Sequence, residues 1–254
     1  MPDVTSGTGD SRQRRALAAP QSWADTQGTA TTSADIAGVS LSTDDFAIYN
    51  IFTGGRTGTN TFTITRSYFP FNLSGLVVPA GQEVTSATLT LRAKIITGTG
   101  GHTTGTAAHD KIYLRGASAL DNSVADFGNV YTSGTTKQPS FGSGTASTTE
   151  GDVVINLNSD ALNEINSKAG SGTVTIAALG FMDDQDTAPG LIGGGSASSV
   201  KIKLTMSDNG SNEPTLSMTF GVVSAVTPTT YNNIGDEQVI KTQTIVVKAG
   251  LLKF

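Results

Sequence analysis

The run "MDDQDTAPG" sets Asp183, Asp184 and Asp186 close together at the end of an apolar stretch. Clustered carboxylates in a loop can ligate Ca2+, a hard cation that gathers six to eight oxygens. The EF-hand pattern, with its central glycine and terminal glutamate, is missing, so the competing reading is an ordinary acidic turn. A structural Ca2+ on Asp183, Asp184 and Asp186 is the one cofactor left open, and no other is expected. The two histidines, His102 and His109, flank "TTGTAA" in a Gly/Thr-rich loop. A metal pair on a strand or helix wants closer spacing and a third ligand, so these read as solvated loop histidines.

Other reactive constellations are thin. The chain has no cysteine, which removes disulfides, thiolate metal sites and thiol nucleophiles. No G-x-S-x-G elbow or P-loop occurs, and "GTGGHTTG" (98–105) departs from the dinucleotide fingerprint at its third glycine. A glycosidase would need two carboxylates facing each other across a cleft, and no pair is marked out by spacing. The expectation is a protein that is not an enzyme.

A different kind of chemistry is offered by "RSYFPFNLSGL" (66–76), where an arginine, three aromatics and a proline fall together. At strand periodicity Phe69, Phe71 and Leu73 share one face and Arg66, Tyr68 and Pro70 the other. The first row reads as core, because aromatic burial is strongly stabilising. Arg66 and Tyr68 are left as a candidate surface contact, and Pro70 argues for an edge or a bulge. "NLS" (72–74) is formally a glycosylation sequon, but it falls inside this strand.

The elements that must position these residues are strands. Of 254 residues, 37% are hydrophobic, 15% are charged and 30 are glycine, and Ser/Thr runs are long. Gly and β-branched Thr disfavour helix, whereas Thr, Val and Ile suit a pleated, half-buried surface. Strands are predicted over 46–52, 60–73, 83–95, 110–117, 151–158, 172–181, 198–207 and 214–223. Regular short strands parted by Gly/Ser/Asn turns predict an antiparallel sandwich. One short helix interrupts them at 158–170, with Ser159 as N-cap, Leu162 and Ile165 on its inner side and Gly170 as its stop.

Two ends flank this body. Residues 1–35 are polar and aperiodic, and read as an extended N-terminal arm anchored by Trp23. Arg12, Arg14 and Arg15 would dock the arm on an acidic neighbour. Such an arm is expected to be ordered by adjoining chains. Residues 36–223 form the sandwich. Residues 224–254 read as a linker and an assembly strand, "QVIKTQTIVVKAGLLKF", with Ile240, Ile245 and Val247 as its apolar positions. A hydrophobic terminal strand must be paired, within its own sheet or by addition to a neighbour's.

Net charge is −5 with basic residues scattered, so nucleic acid is not expected as a partner. The N-terminus has arginines and an "ALAAP" but no apolar core of a signal peptide. No apolar run approaches the ~20 residues that cross a bilayer. The expectation is synthesis in a host cytoplasm with no membrane partner.

The stretch "RSYFPFNLSGLVVPAGQEVTSATLTL" (66–91) resembles the signature of DNRLRE-type, carbohydrate-binding-module-like jelly-roll domains. Such domains occur in surface-exposed bacterial proteins and phage virion proteins. "SW" (22–23), "VINLNSDALNEIN" (154–166) and "SDNGSNEPTLSMTF" (207–220) match further steps in order, so the resemblance spans about 22–222. Asn72 stands where the pattern has Asp. The resemblance implies a jelly-roll sandwich in a virion structural protein: a capsid decoration or cement protein, or a head or tail appendage. Its implied location is the virion, and its implied partners are copies of itself and other virion proteins. The alternative is a carbohydrate-binding module of a fibre or cell-surface protein, with glycans as partner. One Trp and five Tyr are a thin supply for a sugar platform, with Tyr113 and Tyr131 the further candidates.

Overall fold

A computed structural model of the chain describes residues 2–6, 10–16, 23–28, 46–54, 60–97, 110–121, 124–186, 198–205 and 212–222. The strands are β1 (Asp3–Thr5), β2 (Ser11–Ala16), β3 (Phe46–Gly54), β4 (Asn60–Asn72), β5 (Gln82–Thr97), β6 (Lys111–Ala117), β7 (Tyr131–Ser133), β8 (Thr136–Lys137), β9 (Ser140–Thr145), β10 (Gly151–Asn156), β11 (Thr173–Gly180), β12 (Ser198–Leu204) and β13 (Thr215–Val222). Helices are α1 (Trp23–Gln27), α2 (Ser159–Lys168) and α3 (Phe181–Asp184), with a 3-10 turn at Val124–Gly128. The chain is all-β, and every strand pairing described is antiparallel.

Two long strands organise the sandwich. β5 carries β13 and then β12 along one edge and β10 along the other. β4 likewise carries β3 and then β11 along one edge and β2 along the other. Because β12 also pairs β3, the layer β1-β13-β5-β10 passes continuously into the layer β4-β11-β6-β9. Between the layers, Leu89 and Leu91 of β5, Leu216 and Met218 of β13 and Ile155 of β10 meet Phe69 and Phe71 of β4, Ile176 of β11 and Leu114 of β6. Burying each such side chain is worth about 1.5–3 kcal/mol, so this cluster carries the stability of the body.

Pro70 pairs with Thr175 and lies past the end of β2, whose last partner on β4 is Tyr68. Its missing N–H therefore interrupts no ladder on that side. Asn72 makes an Asx turn, its Oδ1 accepting from the Ser74 N–H at 3.0 Å. β9, "SFGSGT", is a strand that its composition hides. A Cβ at Gly144 would sit 2.6 Å from Ile155 Cγ1 and 2.7 Å from Val153 Cγ1, so glycine here lets β9 close onto β10.

α2 closes the core with Ala161 and Ile165 buried. Its N-cap is Asn158 rather than Ser159, since the Asn158 side chain accepts from the N–H groups of Asp160 and Ala161. Asn166 ties the helix to β5, accepting from Val84 N–H at 2.8 Å and donating to Val84 O at 3.0 Å.

The described part of the N-terminal segment corrects the expectation of an arm standing off to be held by neighbours. β1 pairs with β13, and β2 pairs with β4, setting Arg12 opposite Ser67, Arg14 opposite Thr65 and Arg15 opposite Ile64. Trp23 is buried in α1. The segment's own backbone supplies the ladders, and two open edges of the chain's own sheet receive them. Ile240, Ile245 and Val247, and both histidines, lie outside the described residues. No described helix is long and apolar enough to cross a membrane.

Candidate functional site

The second face of β4 and β11 holds a cluster of three ion pairs. β11 is buried along nearly its whole length. Val174, Ile176 and Ala178 enter the main core, while Ala177 and Leu179 pack on the other side with Tyr68, Val130 and Tyr131. A strand of this kind needs cover on both faces. The cover is built from α1, the 3-10 turn, the β7–β8 hairpin and α3. Arg66 and Tyr68, expected as a surface contact, are each 0% exposed beneath it. Alternation turned them away from the core as predicted, but onto a second buried layer.

Arg66 is satisfied on every side. Its Nε and Nη2 grip Asp183 through both carboxylate oxygens at 2.7 and 2.8 Å, a bidentate fork. Nη1 donates to Phe127 O at 2.7 Å, and Nη2 donates to Gln27 O at 3.0 Å and Tyr131 Oη at 3.3 Å. The guanidinium lies 4.1 Å from the Phe127 ring centre and 5.3 Å from that of Tyr131, within cation–π range. Tyr68 Oη donates to Phe127 O and Tyr131 Oη to Gln27 O.

Around this pair two more cations meet carboxylates. Arg115 Nε donates to Asp184 Oδ1 at 2.6 Å and its Nη1 to Gln138 O at 2.9 Å. Lys137 Nζ donates to Asp186 Oδ1 and to the backbone oxygens of Asp183 and Asp184. Gln27 Nε2 bridges Asp183 O and Asp186 Oδ1 at 3.0 and 2.9 Å. Asp183, Asp184 and Asp186, left open by the sequence as Ca2+ ligands, each turn their carboxylate to a different cation, Arg66, Arg115 and Lys137. Among the described residues no group of three His, Cys, Asp or Glu could hold a metal ion. The physical reason is α3, which starts directly after β11 and points successive carboxylates in different directions.

The electrostatics follow from burial against charge. Burial pushes the Asp183 carboxyl upward, but the Arg66 charge and hydrogen bonds, then Lys137 and Gln27, hold it below the ordinary range. Burial raises Tyr68 and Tyr131, with Arg66 opposing in both. Burial alone would lower Arg66, but Asp183, by charge and hydrogen bond, more than offsets it and raises the guanidinium further. Both Asp183 carboxylate oxygens are engaged by Arg66, so the geometry suits holding elements together rather than passing protons.

The sequence reading found Arg66, Tyr68 and the three aspartates but not that they meet. Gln27, Phe127, Lys137 and Arg115 were not singled out. The unbroken run of apolar and small residues in "TVTIAALG" carried the available signal, since it announces a strand covered on both faces.

No protein-family model matches the chain, and no curated protein matches it.

Proposed function

We propose that this protein is a non-enzymatic structural component of a virus particle: a jelly-roll capsid decoration or cement protein, or a head or tail appendage. The observation that carries the reading is how the charged cluster is spent. Arg66, Arg115 and Lys137 are all committed to internal ties, fastening α1, the 3-10 turn and α3 to the sheet. This is the economy of a rigid building block rather than of a reaction centre.

Assembly would use the sheet edge near the C-terminal end of the body. β1 covers β13 only at Thr215–Ser217. Among the described residues, Thr219–Val222 have β5 on one side and no strand on the other, and Val222 is 66% exposed. Such an edge invites strand addition, and the β-prone segment "QVIKTQTIVVKAGLLKF" is the natural donor between copies. Partners are then copies of this chain and other virion proteins.

The test is deletion of residues 224–254, with binding to purified particles as the readout. The truncated chain is expected to keep its circular dichroism spectrum and unfolding midpoint while no longer associating with particles. Undiminished association of the truncated chain, or absence of the full chain from purified particles, would sink the reading.

A further inference from the structure

The outer face of the sheet carries a like-charge pair. Lys94 of β5 stands directly opposite Lys203 of β12, while Ala93, Ile95, Ile202 and Leu204 on the other face fill the core. Two cations facing each other across a ladder oppose the pairing of their strands. Lys94 is exposed and forms no ion pair among the described residues. Arg92, two residues along the same face, is held by Glu150 and Asp152. Ile96, two residues the other way, is 39% exposed.

The α2 helix carries the opposite arrangement. Asp160 and Glu164 are one turn apart on the same side of it, so their carboxylates repel. Neither forms an ion pair among the described residues. The helix dipole favours Asp160 in the first turn but does little for Glu164. Lys168, a further turn along, lays its stem beside Gly172 instead. Both carboxylates line a cavity of ≈ 270 Å³ whose other walls include Ala117, Ser118 and Gln138. That volume lies below the ~300–1,000 Å³ of small-ligand clefts, so it suits the end of one side chain better than a free small molecule.

We propose that these two surfaces meet between copies of the chain. The basic β5–β12 face of one copy docks on the acidic cavity of the next, with the Lys94 ammonium between Asp160 and Glu164. One chain cannot bring them together. α2 follows Asn156, which pairs with Thr88, and Asn166 ties it to Val84. At ~3.3 Å per residue those two points lie roughly 20 and 33 Å along β5 from Lys94. Each like-charge pair is relieved by the other, and complementary charge decides which surfaces meet. Joining different patches on the two copies makes the contact heterologous, so it repeats head to tail into a ring or a filament. The inference rests on the self-assembly proposed above, but it uses neither the β13 edge nor residues 224–254.

The test is sedimentation velocity of the full chain over a range of concentrations, at about 50 mM and at 0.5 M NaCl. Self-association is expected at low salt and should diminish at high salt. Lys94→Glu and Glu164→Lys should each weaken the low-salt association roughly tenfold, with the circular dichroism spectrum unchanged. Combining them in one chain should restore it. The first substitution deepens the net negative charge of −5 and the second reduces it, so general repulsion between copies would move them in opposite directions. A monomer at low salt, association that salt and both variants leave unchanged, opposite effects of the two variants, or a double variant no better than either single one would overturn the contact. Particle binding lost on deletion of 224–254 reports separately on the strand-addition reading, since that truncation removes no residue of either surface.

Discussion

Arg66 and Arg92 make the same kind of ion pair in opposite settings. Arg66 and Asp183 are both fully buried, joined in a bidentate fork and surrounded by two carbonyls and two aromatic rings. Arg92 lies on the outer face of β5, with its partners Glu150 and Asp152 each at 3.3 Å and largely exposed. Arg115 with Asp184 falls between, part-buried at 2.6 Å. Water decides what each is worth. In the buried pair the charges interact strongly, and losing either leaves the other stranded at high cost. On the outer face, solvent and salt screen the attraction and side-chain entropy opposes it. The lesson is that an arginine's position on a strand says little until both faces of its sheet are known.

The widest break in this comparison is Arg66→Met. It should strand Asp183 in a dry layer and take one of their donors from the Gln27 and Phe127 carbonyls, costing about 3–5 kcal/mol in denaturant unfolding. Adding Asp183→Leu should recover a good part of that loss. Tyr68 would still donate to Phe127 O and Tyr131 to Gln27 O, so the two carbonyls keep partners. If the double variant is no more stable than Arg66→Met alone, the stranded-charge account fails.

Acidification breaks the same pair without a mutation. The Asp183 carboxyl is held below its ordinary value when folded, so the unfolded chain binds the proton more readily. The contribution of this group is then fully present above about pH 4 and is lost as pH falls through the depressed folded value. Stability measured from pH 6 downward should decline in that acid range, and Asp183→Asn should flatten that decline while lowering stability at pH 6. An unchanged acid slope in the variant would place the lost stability elsewhere.

Arg115→Ala sharpens the middle of the series. Asp184 would lose its charged donor but keep Gln185 Nε2 on Oδ2, and the space left by the partly exposed Arg115 would admit water to it. A loss of about 1.5–3 kcal/mol is expected, clearly below that of Arg66→Met. Equal losses in the two variants would mean that burial is not what separates them.

Much of the body was legible in the sequence, because period-two alternation survives wherever one face is wet. The eight predicted strands correspond to β3–β6 and β10–β13, and Phe69, Phe71 and Leu73 fill the core. The rest was hidden for identifiable reasons. β2, "SRQRRA", is polar because its role is to extend a sheet edge, and β9 is rich in glycine because it must close onto β10. The site was half legible. Arg66 and Asp183 stood out individually, but they are 117 positions apart and no pattern in the sequence pairs them. Only the topology, which runs β11 beside β4 and starts α3 at its end, brings them together.

The smallest expected effect is the most discriminating for the role of exposure. Arg92 faces Asp152 directly across the β5–β10 ladder, and Glu150 joins from the turn before β10, so the geometry alone looks favourable. Its two hydrogen bonds raise the guanidinium's proton affinity, led by the one to Asp152. Yet an arginine is charged at any ordinary pH, so that shift has no bearing on stability where the protein would be studied. Replacing Arg92 by Ala should leave the unfolding midpoint where it is, at low salt and at 0.5 M NaCl alike. A drop comparable to that of Arg115→Ala, and one that salt does not erase, would show that β10 depends on this pair to stay on the sheet. The contrast between a wet and a dry arginine would then be one of degree.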